Sequence, residues 1–183
     1  MDRLLSGTLV TLVVTSVATA GCTIFSDRVS GCVSPSNETQ LLDEYAAERA
    51  LAVSPVGSSR REEPQRRPSC RRMGEHVSIA AVDVRYDLSH DVSRDEVQAL
   101  YEPVATQSGW TPMPIRADQK TVRFCRTVLG EPSVLEVGWD DAKTLRSDGK
   151  VERDTAWIAV VVRTAQDEGA EQAAEREAAG CQP

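Results

Sequence analysis

Histidines, aromatic residues and closely spaced cysteines are scarce in this 183-residue chain. With only His76 and His90 it has no His-Glu-x-x-His pair, and it also lacks a nucleophile elbow, a phosphate loop and a glycine-rich dinucleotide turn. No catalytic residue and no cofactor is therefore assigned. The five cysteines are separated by 10, 38, 55 and 56 positions, which matches no zinc pattern, so no metal is expected either. Three tryptophans, three tyrosines and two phenylalanines serve the whole chain, too few to foretell the aromatic-rich cleft of a sugar hydrolase. A net charge of −7 argues against nucleic acid as a partner. The one long apolar run, Leu4 to Val17, is diluted by Ser6, Gly7, Thr8, Thr11, Thr15 and Ser16. It falls short of the about 20 predominantly apolar residues that a membrane span needs.

That run instead reads as the middle of an export signal, with Arg3 before it and small residues after it. The end of the segment, Thr19-Ala20-Gly21-Cys22, resembles the lipobox of bacterial lipoproteins. The resemblance implies cleavage before Cys22, acylation of Cys22 with a chain such as palmitate, and anchoring on the extracytoplasmic face of the cell membrane. Thr19 stands where that pattern usually has Leu, and Ala18-Thr19-Ala20 is a competing site at which ordinary signal peptidase would release a soluble protein. Cysteine parity favours lipidation. Assigning Cys22 to lipid leaves Cys32, Cys70, Cys125 and Cys181, and in an oxidising compartment two disulfides are the default. Four cysteines pair in three ways. The pairing preferred here is Cys70 with Cys125, joining the entry of the folded domain to one of its strands, and Cys32 with Cys181, tying an amino-terminal arm to the tail.

Composition then divides the chain into a signal peptide (1–21), a Ser-rich tether (22–36), an N-terminal helix with a basic linker (37–75), an α+β domain (76–164) and an acidic tail (165–183). In the third segment Asn37 can cap a helix whose stripe is Leu41, Leu42, Tyr45 and Ala46, stopped by Pro55 and Gly57. Arg60, Arg61, Arg66, Arg67, Arg71 and Arg72 follow among prolines and serines. Such a cluster could touch anionic head groups or a polyphosphate, but a solvated linker is the simpler reading. The tail, with Asp167, Glu168, Glu171, Glu175 and Glu177 among alanines, reads as an exposed, partly formed helix or a disordered end.

In the main domain Ala80, Val82, Val84 and Tyr86 alternate with polar neighbours and predict a strand. Ser93-Arg94-Asp95-Glu96 is a capping box, and Val97, Leu100, Tyr101 and Val104 line one face of the helix that follows, ended by Gly109. Pro103 should kink or shorten it. Val122 with Phe124, Val134 to Trp139, and Thr155 to Thr164 predict three more strands, the last apolar on both faces and so expected to be covered on each side. Asp140 to Asp154 reads as a long exposed connection. The expected fold is α+β: an antiparallel four-stranded sheet in β-α-β-β-β order, one helix packed on a face, plus the N-terminal helix.

The lipobox, the early helix with its Pro55-Val56-Gly57 exit, Cys70, the helix ending in Gly109-Trp110, and Phe124-Cys125-Arg126 followed by Leu135-Glu136-Val137 together resemble uncharacterised small lipoproteins of actinobacteria. The resemblance covers most of the mature chain. It implies a location and a Cys70–Cys125 link, and transfers no catalytic residue.

Remaining candidates are few. His90, in Asp87-Leu88-Ser89-His90-Asp91, could join carboxylates in a metal site or proton relay, although aspartates ahead of a helix are favoured by capping and the helix dipole alone. His76 stands alone at a strand start. Asp140, Asp141, Asp148, Glu152 and Asp154 lack the spacing of a calcium loop. Trp110 and Trp139 are the candidate ligand contacts, with Trp157 a third aromatic able to stack. The function expected is a membrane-anchored cell-envelope lipoprotein, a non-enzymatic binding or scaffolding module. Its partners would be the membrane, through lipid on Cys22, and an unknown envelope protein or polymer. The alternative is an envelope hydrolase acting on a cell-wall or sugar substrate. Replacing Cys22 by Ala is expected to abolish fatty-acid labelling and move the protein to the soluble fraction; membrane retention of the variant would mark the segment as an uncleaved anchor.

Overall fold

The computed structural model describes residues 36–72, 75–114, 119–147, 150–165 and 170–181. The export signal, Cys22, Cys32 and all but the last residue of the tether therefore lie outside the described residues. Helix α1 (Glu38–Ala46) leads into a 3-10 turn, Arg49–Ala52. Short strands β1 (Ser58–Arg60), β2 (Gln65–Arg67), β3 (Cys70–Arg72) and β4 (Glu75–Ser78) follow, then the long β5 (Ala81–Leu88). Helix α2 (Arg94–Gln107) is followed by β6 (Thr111–Pro112), β7 (Thr121–Val128), β8 (Glu131–Asp140), β9 (Lys143–Ser147), β10 (Lys150–Asp154) and β11 (Trp157–Thr164). Helix α3 (Ala170–Ala178) completes the described chain.

The protein is α+β with an antiparallel sheet. Its four long strands lie side by side as β5-β11-β8-β7, and in chain order, with α2, they are the expected β-α-β-β-β. Three short strands that the sequence pattern does not announce extend the sheet to seven: β1 and β2 pair with β5, and β6 with β7. Two further hairpins, β3–β4 and β9–β10, stand apart from it.

One face of the sheet carries the core. Val82, Val84, Tyr86, Ile158, Val160, Val162, Leu135, Val137, Val122 and Phe124 are buried there against Leu41, Leu42 and Tyr45 of α1, Leu51 of the 3-10 turn and Val97, Tyr101 and Ala105 of α2. On the opposite face of β11, Trp157, Ala159, Val161 and Arg163 remain half-buried. The strand expected to be covered on both sides is thus fully covered on one. Its apolar content misled because Ala159 and Val161 lie between charged neighbours, Arg85 and Asp83 on β5 and Glu136 on β8.

The local signals at α2 hold. Ser93 Oγ accepts the Glu96 backbone N–H while Glu96 accepts from the Ser93 N–H at 2.7 Å, and Gly109 leaves the helix at φ +81°. Pro103 does not end the helix; it sits on the exposed side, within the run Arg94–Gln107.

Three expectations are corrected. The basic stretch is not a solvated linker: β1 and β2 lay its arginines along β5, where Arg61 meets Asp87 at 3.2 Å and Arg67 meets Asp83 at 2.8 Å. Arg66 reaches Asp43 of α1 at 2.5 Å and Arg60 reaches Glu63 at 3.4 Å. Carboxylates already on the domain therefore neutralise the cations, which accounts for a Ser- and Pro-containing segment folding back. Secondly, the connection after Asp140 is the β9–β10 hairpin. Thirdly, Cys125 is bonded to Cys181, with Cα atoms 6.0 Å apart, so neither Cys70–Cys125 nor Cys32–Cys181 forms; Cys70 is itself disulfide-bonded. The reason is the pleat. Cys125 alternates with Val122 and Phe124 of the core and so points from the opposite face, where α3 brings Cys181. Buried Arg123, two residues away on that same face, meets Glu175 of α3 at 3.6 Å. The acidic tail is thus a helix fastened to the sheet by a covalent link and an ion pair.

All three tyrosines hold the amino-terminal segment to the domain. The Tyr86 hydroxyl donates to the Leu51 carbonyl at 2.8 Å and that of Tyr101 to the Val53 carbonyl at 3.1 Å. Ser133 Oγ donates to the Glu131 carbonyl, so the 2.7 Å contact between Tyr45 and Ser133 has the tyrosine as donor. Burial raises the Tyr45 phenol from 10 to about 12 and raises Tyr101 as well. Above pH 10 the unfolded chain loses these protons while the folded one keeps them, so stability present below pH 10 declines as pH rises through 10 towards 12. We expect a loss on the order of 1.4 kcal/mol per pH unit for each tyrosine. Denaturant unfolding of wild type, Tyr45→Phe and Tyr101→Phe checks it: each substitution should flatten the alkaline slope, and an unchanged slope in both would refute the assignment.

Candidate functional site

The sequence-derived contact residues are not on the surface. Trp110 is 2% exposed and Trp139 is 5% exposed, both in the core, so they are withdrawn as ligand contacts. Trp139 belongs to the core side of β8, and the indole N–H of Trp110 donates to Glu48 Oε2 at 3.0 Å. Burial of Trp110 follows from that carboxylate: Glu48, 7% exposed, also accepts from Arg126 Nη2, while Arg126 Nη1 donates to the Ser108 carbonyl at 2.5 Å. The Arg126 guanidinium lies 4.7 Å from the centre of the Trp110 ring. Trp157 is half-buried beneath Arg85, whose guanidinium is 4.5 Å from its ring centre.

The acidic candidates also have partners. Lys120 bonds Asp141 and lies 3.8 Å from Asp140, and its ammonium is held above its ordinary pKa, chiefly by the hydrogen bond to Asp141. Side chains of Asp148, Glu152 and Asp154 lie outside the described ones, as does that of His76 in β4. Among the described residues no three metal-ligating side chains gather.

What the sequence pattern did not disclose is a groove of about 390 Å³ between the Pro55–Gly57 turn and the first turns of α2. Pro55, Val56, Val92, Val97, Ala99, Leu100 and Ile158 line it together with His90 and Glu96, and of these Pro55, Val97 and Ile158 are buried. Two local features build it. The capping box starts α2 at Arg94 and pulls the Glu96 carboxyl below its ordinary range, mainly through the Ser93 backbone N–H and then its hydroxyl. Gly57 turns the chain at φ +73°, and a Cβ there would lie 2.7 Å from Ser89 Oγ, so no other residue fits the wall without moving the Ser89–His90 corner. Val56, at the tip of that turn, is 90% exposed.

Chemically the groove offers apolar area, with His90 and Glu96 the polar side chains of its lining. Ser89 Oγ lies 3.2 Å from His90 Nδ1, but both residues are exposed. Among the described residues no carboxylate bonds the other ring nitrogen, because Glu96 is committed to the cap. A serine nucleophile needs a base that a third group orients. Comparison with known proteins gives no lead. No family model, no curated protein and no solved structure matches the chain. Any functional assignment thus rests on the groove and on the sequence signals.

The only sequence trace of the groove is Val56 between Pro55 and Gly57, where an apolar residue occupies a turn that has no structural use for it. For the Glu48 cluster, removing one member should be costly: Arg126→Met leaves a buried carboxylate unpaired and is expected to lose about 3–5 kcal/mol. Pairing it with Glu48→Gln, which keeps an acceptor for Trp110, should restore most of that loss. Denaturant titrations check this, and a cost for Arg126→Met below about 1 kcal/mol would show the pair to be incidental.

Proposed function

We propose that the protein is a lipid-anchored envelope lipoprotein acting as a non-enzymatic binding module, with the groove beside α2 as its docking surface. The observation that carries the binding role is Val56. It is one of two large apolar side chains strongly exposed among the described residues, and it stands at the lip of an apolar cleft, the setting in which surface hydrophobicity marks contact with another molecule.

Export is supported by the signal-like segment and by disulfide-bonded cysteines, which persist in oxidising compartments. Counting adds support for lipid at Cys22. With Cys125 and Cys181 joined and Cys70 also bonded, one cysteine of the five is left over, which is what acylation of Cys22 requires. The hydrolase reading has one observation in its favour, the Ser89–His90 contact. Its exposure and lack of an orienting group make it the weaker of the two.

Crosslinking in intact cells tests the role. A defined envelope partner should be captured by the wild-type protein, and purified protein should show no turnover of cell-wall fragments or simple esters. Turnover that disappears in His90→Ala and Ser89→Ala would replace the binding module with the hydrolase.

A further inference from the structure

The groove has a charge as well as a shape, and the charge narrows what fits. Its lining is apolar from Pro55 and Val56 across Val92, Val97 and Leu100 to Ile158. Glu96 lines it as a carboxylate held below its ordinary range, with His90 the other titratable residue of the lining. The exposed residues Asp91 and Asp95 flank the lining residues in the chain. The Asp91 carboxylate receives the Ala142 backbone N–H at 2.9 Å, which joins it to the Asp140–Asp141 segment, where Lys120 pairs with both aspartates. Arg94 donates to the Gln119 carbonyl at 2.6 Å. Among the described side chains of the arginine-rich stretch, Arg60, Arg61, Arg66 and Arg67 are paired with Glu63, Asp87, Asp43 and Asp83. The groove is thus an apolar trough lined by Glu96 and neighboured in the chain by Asp91 and Asp95.

We infer that it binds a cationic amphipathic segment of an envelope protein, the segment's apolar side chains seated between Val56 and Leu100 and its lysines or arginines facing Asp91, Asp95 and Glu96. The volume, about 390 Å³, is at the lower end of the roughly 300–1,000 Å³ of ligand clefts and suits side chains rather than a folded surface. Laying one apolar helix face along a groove with charges matched at its rim is a general mode of peptide recognition. Matched charge should accelerate association and confer salt dependence. An acidic segment of the same shape would meet like charge and be rejected. The inference rests on the binding-module reading and names its partner's chemistry.

The test uses the full mature chain with its disulfides intact. Its probe is a labelled peptide with leucines at i and i+4 and lysines on the flanking positions, and two controls replace the lysines by glutamates or the leucines by serines. Anisotropy titration should show binding of the first peptide alone, weakening as salt is raised. Val56→Asp and Asp95→Lys change exposed side chains and should each weaken it by about tenfold or more, whereas Leu129→Asp, at the distant β7–β8 turn, should leave it unchanged. Equal binding of the glutamate peptide, or wild-type affinity in Val56→Asp, would overturn the inference. Crosslinking in cells separates the two levels. If Val56→Asp captures the same partner as wild type, the module binds through another surface and only the groove assignment fails. If wild type captures no partner, the binding role itself fails.

Discussion

A carboxylate in the interior has to be compensated where it lies, and the compensation of Glu48 organises the helical side of this protein. Three segments converge on it: Trp110, just beyond the end of α2, Arg126 from β7, and the turn that carries Glu48 itself. The same arginine binds the Ser108 carbonyl at the end of α2. One buried charge therefore fixes the carboxyl end of α2, the sheet and the 3-10 turn against one another. It does so with directional bonds, where apolar packing alone would tolerate sliding. The groove depends on this. Its two walls, the Pro55–Gly57 turn and α2, leave the Glu48 cluster in different directions, and the Tyr101 bond to Val53 holds them together further along.

The opposite side of the sheet is managed by charge. Rows across β2, β5, β11, β8 and β7 place Arg67 beside Asp83, Glu136 beside Arg163, and Arg123 beneath Glu175. Pairs as exposed as Arg67–Asp83 contribute little stability. Their consequence is different: a half-exposed sheet face with Ala159 and Val161 at its centre is ringed by ionic groups, and β1 and β2 pair along the edge of β5 that would otherwise be open. The Cys125–Cys181 link fixes α3 to the β7 end of that face, at the position where Arg123 would otherwise be left buried without a counter-charge.

Legibility in the sequence followed the physics of each element. Strands β5, β7, β8 and β11 and helix α2 could be read because their signals are local: alternation every second residue, a capping box, and a glycine exit. The α+β class and the β-α-β-β-β order followed from them. Strands β1 and β2 could not be read, because Ser58–Arg60 and Gln65–Arg67 have no apolar alternation and their pairing is dictated by carboxylates of β5 and α1. The disulfide was misassigned because chain distance does not reveal the face of a strand from which a cysteine projects. Trp110 reads as a contact in the sequence because nothing in its neighbourhood announces Glu48, 62 positions earlier in the chain. The groove was missed for a related reason: its walls come from separate segments, and each reads as an ordinary turn or helix.

Among the described residues two large apolar side chains are exposed, and their settings differ. Leu129 lies in the tight β7–β8 turn at φ +51° beside Gly130 at φ +84°, a geometry that places both central residues outward whatever their chemistry. Its exposure, 43%, is a consequence of the turn. Val56 has no such account. Gly57 meets the conformational demand of its own turn, Pro55 is buried, and the fold would lose no core contact if position 56 were polar. A valine 90% exposed at that point stabilises nothing within the chain. It faces a cleft whose floor is Ile158, part of the same core that the Glu48 cluster braces. Under the proposed binding role, docking on such a braced wall orders no loop and costs little conformational entropy.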